Sequence, residues 1–306
     1  MAFFKRIALF LAVNILVVFS ISFVLSLLNV KPYLQAHGLD YTSLAIFCLI
    51  WGMGGAFISL LLSKKMAKWL LGVRIIHPET DHTQEKKLVQ LVHQLAQEAH
   101  LPRMPEVGIY TSKEINAFAT GPSRSSSLVA VSSALLDKMS LEELKGVLAH
   151  EVAHIANGDM VTMTLLQGVI NAFVMFLARA LAFFLSNLGQ QNNKQRSSAS
   201  SQMSFTFLVI VFEIIFMILG TLIIAAYSRR REYRADRGGA LFAGRGSMIA
   251  ALEALQRTVQ IHDPAVEKPA LQAFKISTTM KKGLSLFATH PPLEKRIARL
   301  KEQEFV

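Results

Sequence analysis

The stretch Ser140-Leu-Glu-Glu143-Leu-Lys-Gly-Val-Leu-Ala-His150-Glu151-Val-Ala-His154-Ile-Ala-Asn157-Gly158-Asp159 carries its own start and stop signals. Ser140 followed three residues later by Glu143 is a capping box. Leu141, Leu144, Val147, Leu148 and Ile155 recur at helical spacing, and Asn157-Gly158 supplies the stop. The spacing predicts a helix over about 141–156. On that helix His150 and His154 stand at i and i+4, so both imidazoles leave one face and can share one metal ion. Glu151 lies between them, next to the metal's open position. This is the H-E-x-x-H arrangement, in which two histidines bind zinc and the glutamate is general base for the attacking water.

A catalytic zinc takes three protein ligands. Cys48, the one cysteine, falls inside an apolar run, so the third ligand has to be Glu, Asp or His. The best candidate is Glu232, in Arg231-Glu232-Tyr-Arg-Ala-Asp236. Glu232 and Asp236 are i and i+4. One can bind metal while the other orients a ligand histidine from behind. The competing reading is an ordinary charged helix face with Glu232 paired to a neighbouring arginine. Chain position favours Glu232 over Asp159, His262 and Asp263. His154 lies seven residues before one apolar run and Glu232 five residues after the next. At helical rise these are roughly 10 Å and 8 Å, and a hairpin of two spans returns the chain to the same membrane face.

Those apolar runs decide the broad class. Of 306 residues, 52% are hydrophobic and only 17% charged, against about 25% charged in a soluble globular chain. Disorder is excluded for most of the chain by its hydrophobicity. The single cysteine excludes a disulfide framework and a multi-cysteine zinc cluster. Four stretches reach the roughly 20 residues needed to cross a bilayer: 7–30 and 42–63 without a charge, 161–188 with Arg179, and 205–227 with Glu213. The first run exceeds a signal-peptide core of about 7–15 residues, so it reads as an anchor.

Orientation follows from the flanking Lys and Arg. Lys5, Arg6, Lys64, Lys65, Lys68, Arg74, Arg229, Arg230, Arg231, Arg234 and Arg237 lie on one side; Lys31, Lys194 and Arg196 lie on the other. Both termini and both polar regions are therefore expected in the cytosol. The expected organisation is an N-terminal membrane hairpin over 1–68, a cytosolic peptidase part over 69–160, a second hairpin over 161–227 and a second peptidase part over 228–306. Of the chain's net charge of +11, the last part carries +7, from fifteen basic and eight acidic residues. A juxtamembrane basic run is the usual flank of such a span and attracts anionic lipid. No nucleic-acid module accompanies it, so the bilayer is the expected partner and nucleic acid is not.

Four motifs in order, Asn116-Ala-Phe-Ala-Thr-Gly121, His150-Glu-Val-Ala-His154 with Asn157-Gly-Asp159, Glu232-Tyr-Arg-Ala-Asp236 and Thr289-His290-Pro-Pro-Leu-Glu-Lys-Arg296, resemble the HtpX family of bacterial heat-shock membrane proteases, relatives of the CAAX prenyl endopeptidases. The resemblance implies an α+β, mostly helical, zincin-like fold with four transmembrane helices and a small sheet above the active-site helix. It implies one zinc per chain, held by His150, His154 and Glu232, with Glu151 as base. It also implies a place in the bacterial inner membrane and misfolded or damaged membrane proteins as substrates. Short strands are expected over 106–110, 116–120 and 128–132. Asn116, Ala117 and Phe118 look like the zincin edge strand that pairs with an extended substrate. His290 and Arg296 are placed near the substrate by the same likeness, with His290 as a donor to the oxyanion. Pro291 and Pro292 delay the last helix to 293–303.

Arg179 and Glu213 stand at similar depth, about nine and eight residues from the outer ends of their spans, roughly 12–14 Å down. Isolated charges there cost a few kcal/mol or more, so they are expected to pair. Gly52-Met-Gly54-Gly55-Ala56 offers a small face for packing within the chain or for a dimer; the oligomeric state stays open. Two other functions compete with the protease: a prenyl-peptide processing enzyme, and a non-catalytic adaptor that binds anionic lipid. A transporter is the weakest reading.

Overall fold

The computed structural model describes residues 40–191, 198–261 and 286–302. They form a mostly helical chain with one small mixed sheet. The described residues divide into two compact units, one of residues 40–59 and 164–224, the other of 60–163, 225–261 and 286–302.

The first unit is apolar helix. It holds most of α1 (Tyr41–Leu70) and α5 (Asp159–Gln191) and the apolar length of α6 (Ser198–Ala243). Among the described residues these three helices are long and apolar enough to cross a membrane. The expected first span, 7–30, lies outside the described residues. Ile50, Trp51, Ile58, Phe207, Ile214 and Ile218 are exposed, as lipid-facing side chains are. Inside the unit, a Cβ on Gly52 would sit 2.6 Å from the backbone nitrogen of Ala172. Gly52 therefore serves close packing of α1 on α5, while Gly54 and Gly55 have no neighbour within 4 Å of a Cβ position among the described residues. The Arg179 guanidinium donates to Glu213 at 2.7 Å and to the Met175 carbonyl at 3.0 Å. The two charges thus satisfy each other, as an apolar setting demands.

The second unit holds the sheet, in the order β1-β2-β4-β3. β2 (Glu106–Tyr110) and β4 (Ser126–Ser132) pair in parallel; β3 (Ala117–Ser123) runs antiparallel to β4, and the two-residue β1 (Arg74–Ile75) antiparallel to β2. Leu128, Val129, Ala130 and Val131 of β4 are all buried, which is why this uniformly apolar run takes an inner position. The expected strand boundaries agree to within a few residues, but the register of β3 shifts between Thr120 and Ser123. β3 ends the sheet, so one row of its backbone groups has no strand partner among the described residues.

One face of the sheet is covered by α2 (Thr83–Glu98) and α4 (Leu141–Asn157). α2 buries Leu88, Val89, Val92, Leu95 and Ala96, spaced along one stripe. α4 starts at the expected capping box: Ser140 accepts from the Glu143 amide, and the Glu143 carboxylate accepts from the Ser140 amide. It ends at Gly158, whose φ of 71° is the left-handed conformation that glycine adopts freely. α4 is the hub of the unit, packing on α7 (Arg245–Ile261), β3, α2 and β4. Two close crossings fix it. A Cβ on Gly146 would meet the Ser247 carbonyl of α7 at 2.1 Å, and one on Gly239 of α6 would meet the His150 amide nitrogen at 3.1 Å. Small residues therefore bring the polar end of α6 hard against α4, one turn beyond Asp236. The short α3 (Ser133–Lys138) and the final α8 (Leu293–Glu302) complete the unit.

Candidate metal centre and active site

Three buried side chains converge where α6 crosses α4: His150, His154 and Glu232, each offering one ligand atom within 4.8 Å of the others. The two Nε2 atoms face each other at 3.2 Å. The Glu232 carboxylate lies across them, 3.3 Å from His150 Nε2 and 3.4 Å from His154 Nε2. Both Nδ1 atoms are already engaged by carboxylates: Asp236 at 3.0 Å from His150 and Asp159 at 2.7 Å from His154. Both rings therefore point their remaining nitrogen at the same spot as a fully buried carboxylate. Glu232 Oε2, itself buried, accepts no hydrogen bond among the described residues. Two imidazoles and a carboxylate around such an atom fit a divalent metal of the zinc type.

The charges are mutually supporting. Burial by itself lowers the His150 pKa, but the Asp236 carboxylate that accepts from its ring and the adjacent Glu232 carboxylate outweigh burial and push it up to about 9. His154 is raised in spite of burial by Glu232 and Asp159. Burial raises the Glu232 carboxyl, yet the neighbouring His290 and His154 hold it well below its ordinary value. Without a metal the cluster thus favours charged histidines facing ionised carboxylates, and the histidines must give up those protons to take up a cation.

The other expected residues fall around this cluster. Glu151 is buried on α4 beside His150. His290 brings its Nδ1 to 2.9 Å from Glu232 Oε2. Arg229 positions the chain there by donating to the Leu286 and Ala288 carbonyls, each at 2.9 Å, just before His290. Asn116 and the first residues of β3, Ala117 and Phe118, are buried, and β3 packs on α4. Arg296 is only 1% exposed. Its guanidinium donates twice to Asp236, at 2.6 and 2.8 Å, and approaches Glu232 at 3.7 Å. That geometry turns Arg296 toward the carboxylates behind the histidines, whereas the resemblance implies a place near the substrate. His262 and Asp263 lie outside the described residues.

The sequence reading missed the engagement of Asp159, Arg234 and Arg229. The first had a signal, an acidic residue directly after the helix stop; the other two looked like members of a basic flank.

Arg296→Leu is expected to destabilise the peptidase unit by about 3–5 kcal/mol, because it leaves the buried Asp236 carboxylate without its arginine, with only His150 beside it. Thermal unfolding of the purified variant measures this, and an unchanged midpoint would refute it.

The comparisons with known proteins give the family. The chain matches Peptidase family M48 over residues 82–304. It is 47% identical over 299 residues to the Protease HtpX homolog of Methylacidiphilum infernorum, covering 97% of this chain and 98% of that one. It is 49% identical over 304 residues to the Protease HtpX homolog of Bacillus licheniformis, and 47% identical over 306 residues to that of Bacillus subtilis, with the same coverage. Among solved structures, S. mikatae Ste24p is similar with a TM-score of 0.57 at 17% identity, over 97% of this chain and 66% of that one. At that identity the likeness is one of fold, and this chain spans about two-thirds of the length of that protein.

Proposed function

The chain belongs to peptidase family M48 and is a multi-pass membrane metallopeptidase, and from that premise we propose that it is a zinc endopeptidase that cuts misfolded or damaged membrane proteins on the cytosolic side of the bacterial inner membrane. The observation that carries this reading is the convergence of His150, His154 and Glu232, with Glu151 on the same helix.

His150, His154 and Glu232 would hold the metal. When bound, it supplies Lewis acidity to the scissile carbonyl and makes water acidic enough to ionise near neutral pH. Glu151 takes the proton of the attacking water on its carboxylate and delivers it to the leaving nitrogen. His290 offers a ring N–H to the oxygen on which negative charge develops. Asp236, backed by Arg296, holds His150 in the tautomer that presents Nε2.

The open edge of β3 binds an extended peptide by backbone hydrogen bonds. Recognition through the backbone is largely blind to sequence, which suits unfolded segments as substrates. Cytosolic orientation rests on the lysines and arginines that flank the apolar runs.

The test supplies three substrates to the metal-free protein in detergent: an unfolded membrane protein, the same protein folded, and a prenylated peptide. Zinc-dependent cleavage of the unfolded form, with the folded form resistant, is expected. Cleavage of the prenylated peptide alone would replace this reading with prenyl-peptide processing. No cleavage of any substrate with zinc bound would favour the adaptor.

A further inference from the structure

Resting on the metal reading above, we propose that Asp159, charged and oriented by Arg234, is the positioning residue that fixes His154 as a metal ligand. Asp159 is fully buried. Its Oδ2 lies 2.7 Å from His154 Nδ1, and its Oδ1 accepts from Arg234 Nη2 at 3.1 Å. The carboxylate therefore takes the Nδ1 proton of His154 as its donor. That leaves the lone pair on Nε2, the atom facing His150 and Glu232.

The backbone is built for this contact. A residue five positions on in an unbroken helix would be turned by about 140° and could not face His154. Gly158, in the left-handed conformation, breaks the helix between them and makes Asp159 the first residue of α5. The carboxylate swings back beneath the last turn of α4, where the N-terminus of α5 also favours a negative charge. Arg234 comes from α6, two residues beyond Glu232, so one helix supplies both a metal ligand and the support of another.

The two histidines are thus held alike. His150 rests on Asp236, which is gripped by the buried Arg296; His154 rests on Asp159, which is met by the half-exposed Arg234. The second support is the softer one, because its arginine competes with water.

The experiment measures zinc affinity of the full chain in detergent by competition with a chromophoric chelator. The visible spectrum of the cobalt-loaded protein and melting of the metal-free form accompany it. Asp159→Ala is expected to weaken zinc binding by about 10–100-fold and to alter the cobalt bands. Asp159→Asn, whose amide oxygen still accepts from Nδ1, should recover part of that loss. Arg234→Gln should weaken binding by a few-fold in the same direction. Should Asp159→Ala fail to fold, the Asn and Arg234→Gln variants carry the test.

Zinc affinity within about twofold of the parent in all variants would overturn the proposal, including where the metal-free melting point falls, since that marks a merely structural role. A parent protein that retains no zinc at all would overturn the metal reading together with this one.

Discussion

Glu151→Gln is expected to lower peptide hydrolysis by about 10²–10⁴-fold, the span that a positioned general base contributes, while the protein keeps its full metal content. Glutamine has nearly the shape of glutamate, so the buried site on α4 has no reason to collapse. It cannot accept a proton, so the attacking water and the leaving nitrogen lose their relay. Metal should stay because the converging ligand atoms come from His150, His154 and Glu232 and not from Glu151. The measurement pairs initial rates on an unfolded protein with metal stoichiometry on the same sample. A variant that hydrolyses at the parent rate would remove Glu151 from the mechanism. A variant that loses metal along with activity would make it a structural part of the site.

Glu232→Ala is expected to cost more than about 10²-fold in metal affinity, above what the loss of an outer support costs. It removes the carboxylate proposed as the third ligand and leaves His290 and Arg296 facing a buried gap. Stripping the metal from the parent protein should also lower its stability. A ligand at 1,000 times its dissociation constant contributes about 4 kcal/mol, so chelation should bring a clear drop in the melting point.

The affinity carries a pH signature. Without metal, Asp236 and Glu232 hold the proton on His150 up to about pH 9. Metal binding must expel that proton. Affinity should therefore fall as pH drops below 9, by about tenfold per unit for one proton released. Calorimetry in buffers of different ionisation enthalpy counts the proton directly. A pH-independent affinity, with no proton released, would refute the prediction.

The sequence by itself determined the elements whose signals are local. The capping box at Ser140, the apolar spacing to Ile155 and the stop at Gly158 yielded α4 almost to the residue, because cap, periodicity and stop all act within one or two turns. Apolar length marked the helices at 42–63, 161–188 and 205–227, since a hydrocarbon layer imposes a length that composition alone reveals. The spacing of His150 and His154 needed nothing beyond the pitch of a helix. The pairing of Arg179 with Glu213 followed from the cost of a lone charge in an apolar setting.

What only the tertiary structure decided depends on crossings between elements distant in the chain. The polar end of α6 lies against α4 because Gly238 and Gly239 meet Ala149 and Ala153, a fit of surfaces that no periodicity encodes. Arg296 belongs to a carboxylate sixty positions away, and its burial is visible only once α8 is docked. Arg234 and Arg237 read alike in sequence, and the first alone meets Asp159 among the described contacts. Asp159 lies beyond a helix end, where a single left-handed glycine sets the direction of everything that follows. Local free energies choose helix and strand, whereas the partners of buried charges are chosen by packing.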